Sequence, residues 1–146
     1  MKVIEGGVTA AQGFLAAGLS AGIKKGNTKD MAMLYSKVPC EAAGTFTTNI
    51  VKAAPVKWDQ KIVYESEKAQ AVICNSGIAN ACTGEEGFGC CKETAKAASL
   101  ALNIPEDSVL VASTGVIGQQ IPIEKIKKGI ENMAPLLSES ISAGTL

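Results

Sequence analysis

The chain has 146 residues and a mass of 15.0 kDa, one domain's worth of polypeptide. Fourteen Lys balance fourteen Asp plus Glu, which argues against a nucleic-acid binder, since such proteins carry a basic excess. There is no Arg and no His. A guanidinium clamp, a Ser-His or Cys-His nucleophile pair and a histidine-based metal site are therefore excluded within this chain.

The composition is 47% hydrophobic and 4% aromatic, with 21 Ala and 15 Gly, which predicts a closely packed core of small side chains. Cys40, Cys74, Cys82, Cys90 and Cys91 are odd in number and irregular in spacing, with no C-x-x-C pair. They read as reduced, partly buried thiols of a cytoplasmic protein, and no metal site is expected. Met1-Lys2 leads into Glu5-Gly6-Gly7 rather than an apolar run, so no signal peptide is expected. No run of apolar residues is long enough to span a membrane.

In chain order, Phe14 to Ile23 reads as a strand and Lys24-Lys25-Gly26-Asn27 as a turn. Met31 to Ser36 is the returning strand, closed by Pro39, and Ala43 to Thr48 is a third strand. Pro55 to Glu65 is ambiguous, with the balance toward a short helix through Val56, Gln60 and Val63. Ala69 to Cys74 is a buried strand. Thr83 with Glu86 matches a capping box, opening a helix to about Leu102 with Phe88, Cys91, Ala95, Ala98 and Ala101 on its apolar side. Ser108 to Ser113 is a strand and Thr114 to Gly118 a turn. Pro122 begins a helix carrying Ile123, Ile126, Ile130 and Met133. Ser138 to Leu146 reads as a frayed end or a truncation point. The order predicts a mixed α/β layered domain over residues 1–146.

Two loops follow buried strands and precede helices: Asn75 to Gly84 and Ser113 to Gly118. Such loops present backbone N–H groups that suit an anionic ligand or a developing oxyanion. The Thr114 hydroxyl and the Gly115 N–H are two donors able to converge on one oxygen; an ordinary turn braced by Thr114 is the plainer alternative. Asn75 and Asn80 either orient a substrate or, more simply, hold the loop's own backbone. Lys24-Lys25 and Lys127-Lys128 read as solvated charge.

These loops carry a resemblance. Gly6-Gly7-Val8-Thr9-Ala10 with Gly13-Phe14, Gly44 to Asn49, Val51 to Val56, Asn75-Ser76-Gly77, Ala79 to Gly84 and Val109 to Gly118 occur in order. Together they closely resemble the N-terminal part of the ornithine acetyltransferase (glutamate N-acetyltransferase) family of arginine biosynthesis. The resemblance implies an acyltransferase that moves acetyl from N-acetylornithine to glutamate, some members also using acetyl-CoA as a substrate, with no other cofactor. It implies a precursor that cleaves itself into α and β chains, the β chain's new N-terminal threonine being the nucleophile and its own amine the base. It places the oxyanion hole on Thr114 and Gly115. It implies a layered α/β/β/α fold and an α2β2 heterotetramer, with this chain as most of an α chain.

Three departures accompany the resemblance. Ile78 stands where the family usually has Asn. The family's α chain continues past the equivalent of Leu146, through a substrate-binding threonine and lysine, so no substrate-binding residue is assigned here. The self-cleavage threonine is missing, because Thr145 lies only 31 residues beyond Thr114 and lacks the preceding Ala. The nucleophile is therefore not expected in this chain. Two other classes stand beside this reading: a non-catalytic remnant or binding module, and a related N-terminal-nucleophile aminopeptidase.

Overall fold

The computed structural model describes Val3 and residues 5–66 and 68–144. Met1-Lys2 and Thr145, invoked above, lie outside the described residues. Four strands form one mixed sheet in the order β1 (Phe14–Leu19), β2 (Met31–Glu41), β3 (Lys68–Ile78), β4 (Val109–Val116). β1–β2 and β2–β3 are antiparallel, and β3–β4 is parallel. Helices α1 (Ala54–Glu65), α2 (Gly84–Leu102) and α3 (Ile123–Met133) complete an α/β fold.

Strand alternation explains the layering. Ala17, Met33, Ile73 and Val111 share one face and are buried with Ile62, Ala95, Ala98 and Ile130 of the helices. On the opposite face Ala32, Leu34, Val72 and Leu110 are only partly buried, and Ala112 and Thr114 are exposed. The helical layer covers one side of the sheet. Its small residues let elements approach closely: a side chain on Gly129 of α3 would meet the Met31 sulfur.

α1 is a helix, the side to which the balance of its sequence falls. It docks on the outer edge of β4 through two side chains. The buried Trp58 indole N–H donates to the Val109 carbonyl (2.9 Å). Asp59 Oδ1 accepts the Val111 N–H (2.9 Å). Two backbone groups of an edge strand are thereby satisfied. Trp58 also packs edge-to-face on Phe88 of α2, with ring centroids 5.9 Å apart.

Several expectations are corrected. Ala43 to Thr48 forms no strand. There Asn49 N–H donates to Thr47 Oγ1 (3.2 Å) and Val51 N–H to Asn49 Oδ1 (3.0 Å), local bonds that compete with a ladder. Phe46 packs instead on Tyr64, centroids 5.6 Å apart. Pro39 does not close β2, which runs to Glu41. The register shifts between Tyr35 and Cys40, so the proline falls in an irregularity where its missing N–H costs no ladder bond. β1 stops at Leu19 because Asp30 winds the next segment around itself. Its carboxylate accepts N–H groups from Ala21 (2.6 Å), Ile23 (2.7 Å) and Lys24 (2.9 Å). Burial pushes the Asp30 carboxyl up, but those donors and the Lys24 charge outweigh it and hold it below its ordinary value.

The capping box does not form either. The Thr83 hydroxyl donates to Asn80 Oδ1 (2.6 Å) rather than to a helix N–H, because the buried Asn80 carbonyl needs a donor. Ala101 is exposed rather than on the apolar side of α2. Ser138 to Gly144 is not frayed. Ser138 exchanges two backbone bonds with Ala16 (3.0 and 3.1 Å), and Ile141–Gly144 forms a helical turn.

Asp59 gives a testable consequence. Burial raises its carboxyl to about 6 from an ordinary 3.8, against the lowering effect of the Val111 N–H. The folded state therefore holds a proton that the unfolded state has lost between about pH 4 and 6. The group's contribution to stability is full below that window and falls as pH rises through it. Asp59→Asn keeps the acceptor and does not titrate. Thermal unfolding across this range should show wild type losing Tm relative to Asp59→Asn as pH rises, with the difference constant above about pH 7.

Candidate active site

The C-terminal ends of β3 and β4 lie side by side. The parallel register pairs Asn75 with Ser113, Ser76 with Thr114, Gly77 with Gly115 and Ile78 with Val116. Thr114 therefore lies in the ladder and not in the expected turn, which begins only after Val116. Alternation sorts these side chains onto two faces.

On the helix face, Asn75 is buried. Its Oδ1 accepts the Ser113 hydroxyl (2.6 Å) and its Nδ2 donates to the Ile78 carbonyl (2.9 Å). Asn80 is buried too, and its Nδ2 donates to the Gly87 carbonyl (2.8 Å) and to Cys91 Sγ (3.3 Å). Both asparagines hold the loops together, the simpler of the two roles read from the sequence. The Ile78 side chain packs against the core, so the polar contacts of this loop come from the asparagines on either side of it.

On the open face, Thr114 and Ser76 line a pocket of 250 Å³ with Lys29, Asp30, Cys74 and Gly18. Among the described residues the Thr114 hydroxyl has no hydrogen-bond partner, so the expected alternative of a self-braced turn is not what the structure contains. The Gly115 N–H is oriented by the ladder. Val111 N–H and Val109 C=O point outward, to Asp59 and Trp58. Alternation sends the Gly115 N–H the same way, away from β3. A hydroxyl above the sheet and an N–H at its edge thus flank one corner, where an anionic oxygen can be held by two donors.

Gly115 is held at this corner by sterics. Its φ is +133°, and a Cβ there would lie 2.7 Å from Ile78 N and closer still to the Gly77 carbonyl. No other residue type allows the two strands to meet.

Among the described residues no group of His, Cys, Asp and Glu is arranged to hold a metal. All five cysteines are unpaired in disulfide terms, with Cys90 and Cys91 buried and Cys82 exposed. Burial pushes the Cys91 thiol up to about 12. Lys127 bonds Glu93 and Glu124 at the surface (3.0 Å each) and Lys128 pairs with Glu131 (3.6 Å), as solvated charge does. No described helix is long and apolar enough to cross a membrane.

The ArgJ family model matches residues 15–145. The chain is 47% identical to the arginine biosynthesis bifunctional protein ArgJ of Gloeobacter violaceus, over 94% of this chain and 34% of that protein. It is 49% identical to the protein of that name from Thermotoga neapolitana, over 88% of this chain and 32% of that one. Its fold matches the crystal structure of ArgJ from Bacillus halodurans with a TM-score of 0.92 at 38% identity, covering 99% of this chain and 74% of that one. It matches ornithine acetyltransferase from Mycobacterium tuberculosis, solved with ornithine, with a TM-score of 0.91 at 41% identity, covering 96% and 75%. The chain belongs to the ArgJ family. It spans about a third of the length of these curated relatives.

Two outcomes check the site as described. Gly115→Ala should cost about 2–4 kcal/mol in chemical denaturation, from strain at this φ plus overpacking against Gly77. A loss below about 1 kcal/mol would mean that the strands are not in this contact. With a thiol-alkylating reagent, Cys82 should be modified first and Cys91 only on unfolding, as peptide mass mapping would show.

Proposed function

We propose that this chain is most of the α chain of an acyltransferase that moves acetyl from N-acetylornithine to glutamate. Thr114 and Gly115 form its oxyanion hole, and a β chain cut from the same precursor supplies an N-terminal threonine nucleophile. The observation that carries this is the pairing of a Thr114 hydroxyl unpartnered among the described residues with an outward Gly115 N–H at one corner of the sheet, in a chain of the ArgJ family. This chain has no His to offer as a base, and a nucleophile that uses its own amine as base needs none from it. The family match favours this over the aminopeptidase.

The threonine oxygen attacks the acetyl carbonyl carbon, its proton passes to the amine, and the carbonyl electrons move onto oxygen. Thr114 and Gly115 receive that negative charge. Collapse breaks the C–N bond, and ornithine leaves with the proton, giving an acetyl-threonine ester. The glutamate amine then attacks the ester carbonyl through a second oxyanion in the same hole; collapse breaks the ester C–O bond, the proton lost by the attacking amine returns to the threonine oxygen by way of its amine, and N-acetylglutamate leaves. Acetyl-CoA as an alternative donor would use the same steps, with a thiol leaving.

A half-covered sheet supports the partnership. The face opposite the helices leaves Ala112 and Thr114 exposed, and Val116 and Ile117 at its end are 54% and 63% exposed. A β chain laying its own sheet there would complete the α/β/β/α layers and bring its nucleophile to the corner. Two such αβ pairs would make the α2β2 assembly of a cytoplasmic enzyme.

Thr114→Ala tests the assignment. It removes one donor and keeps the other, so kcat of the assembled enzyme should fall about 10²–10³-fold with KM changed much less. Thr114→Ser keeps the hydroxyl and should keep most of the rate. Full kcat in a folded, correctly processed Thr114→Ala enzyme would end the oxyanion-hole role.

A further inference from the structure

Ser76 lies directly beside Thr114 in the parallel ladder and on the same face. It lines the same pocket and is half-buried. Its neighbours are committed elsewhere: Asn75 to Ser113 and Ile78 on the helix face, and Gly77 to the close contact with Gly115. Ser76 is thus the residue of this loop whose polar side chain is turned toward the pocket. Its backbone is fixed, because Ser76 N–H donates to the Asp30 carbonyl (2.8 Å) and the Asp30 carboxylate is in turn held by three N–H groups.

Among the described residues neither the Ser76 nor the Thr114 hydroxyl has a hydrogen-bond partner, the other included. Adjacent strands run about 4.8 Å apart. At that spacing, rotation about a single χ1 brings two facing hydroxyls within hydrogen-bonding distance. Direction matters as well. The Gly115 N–H points away from β3, so the oxygen held in the hole lies on the outer side of Thr114, while Ser76 lies on its inner side. Ser76 reaches that oxygen only through Thr114.

We propose that Ser76 is a positioning residue that donates its hydroxyl proton to Thr114 Oγ1 and so leaves the Thr114 proton aimed at the substrate oxygen. A hydroxyl has one proton and two acceptor sites. Unless something donates to it, the Thr114 O–H is at liberty to rotate and spend its proton on water. A donor behind it selects the productive rotamer and polarises the O–H, strengthening the bond it gives. This inference rests on the oxyanion-hole role of Thr114.

The test uses the assembled αβ enzyme with Ser76→Thr and Ser76→Val. The two side chains match in shape and suit a strand, so both variants should fold, and they differ only in the hydroxyl. Ser76→Val should lower kcat about three- to tenfold, the weight of one hydrogen bond, with KM nearly unchanged. Ser76→Thr should retain wild-type kcat. In a Thr114→Ala background the two should be equally slow, because the relay has lost its middle member. Equal kcat for Ser76→Val and Ser76→Thr in the Thr114 enzyme would overturn the proposal. So would a loss from Ser76→Val that persists in the Thr114→Ala background, which would mean that Ser76 touches the substrate directly. If Thr114→Ala itself keeps full kcat, the oxyanion-hole reading fails and this inference falls with it; a slow Thr114→Ala beside a fast Ser76→Val overturns the relay alone.

Discussion

The site depends on one close contact between strands. At the end of the parallel pair, Gly115 lies against the Gly77 backbone with no room for a Cβ on Gly115. That contact keeps β3 and β4 in register through Val116. The register puts Ser76 beside Thr114 and Asn75 beside Ser113. A one-residue slip would exchange the two faces, burying Thr114 and exposing Ser113.

Around that contact, polar side chains do the work that large apolar ones do in other cores. Trp58 and Asp59 satisfy the edge of β4 while fastening α1 to it. Asp30 binds three N–H groups of the segment after β1, and Asn75 and Asn80 each bridge two or more partners. No fully buried side-chain polar atom among the described residues lacks a partner. In a chain with 4% aromatic residues, this full satisfaction sets loop geometry with little bulk.

The elements legible in the sequence are those whose signals are local. The short apolar runs of Ala69 to Cys74 and Ser108 to Ser113, and the apolar spacing of Ile126, Ile130 and Met133, mark β3, β4 and α3 from local pattern alone. What stayed illegible depends on distant partners. Thr83 looked like a cap because Glu86 follows it, but the buried Asn80 claims its proton. Ala43 to Thr48 has strand-forming side chains and no strand to pair with. Thr114 and Gly115 stood out through their loop pattern and family resemblance. Ser76 lies in a loop string that carries the resemblance, but its role, like those of Asp30 and Asp59, arises from register and burial, which the linear order does not display.

The orientation of the two donors at Thr114 and Gly115 has a consequence for solvent. One donor rises from the sheet face and the other leaves its edge, so this chain encloses an oxygen at their meeting point on two sides only. Thr114 and Gly115 are both exposed. A charge held at an open corner is shared with water, and each hydrogen bond to it is weak in that high dielectric. The strength of the proposed hole would therefore be set less by its donors than by whatever shuts out water around them. In the proposed enzyme, donor geometry and dryness would be supplied by different chains, and drying the corner would raise the electrostatic power of donors that this fold already aims.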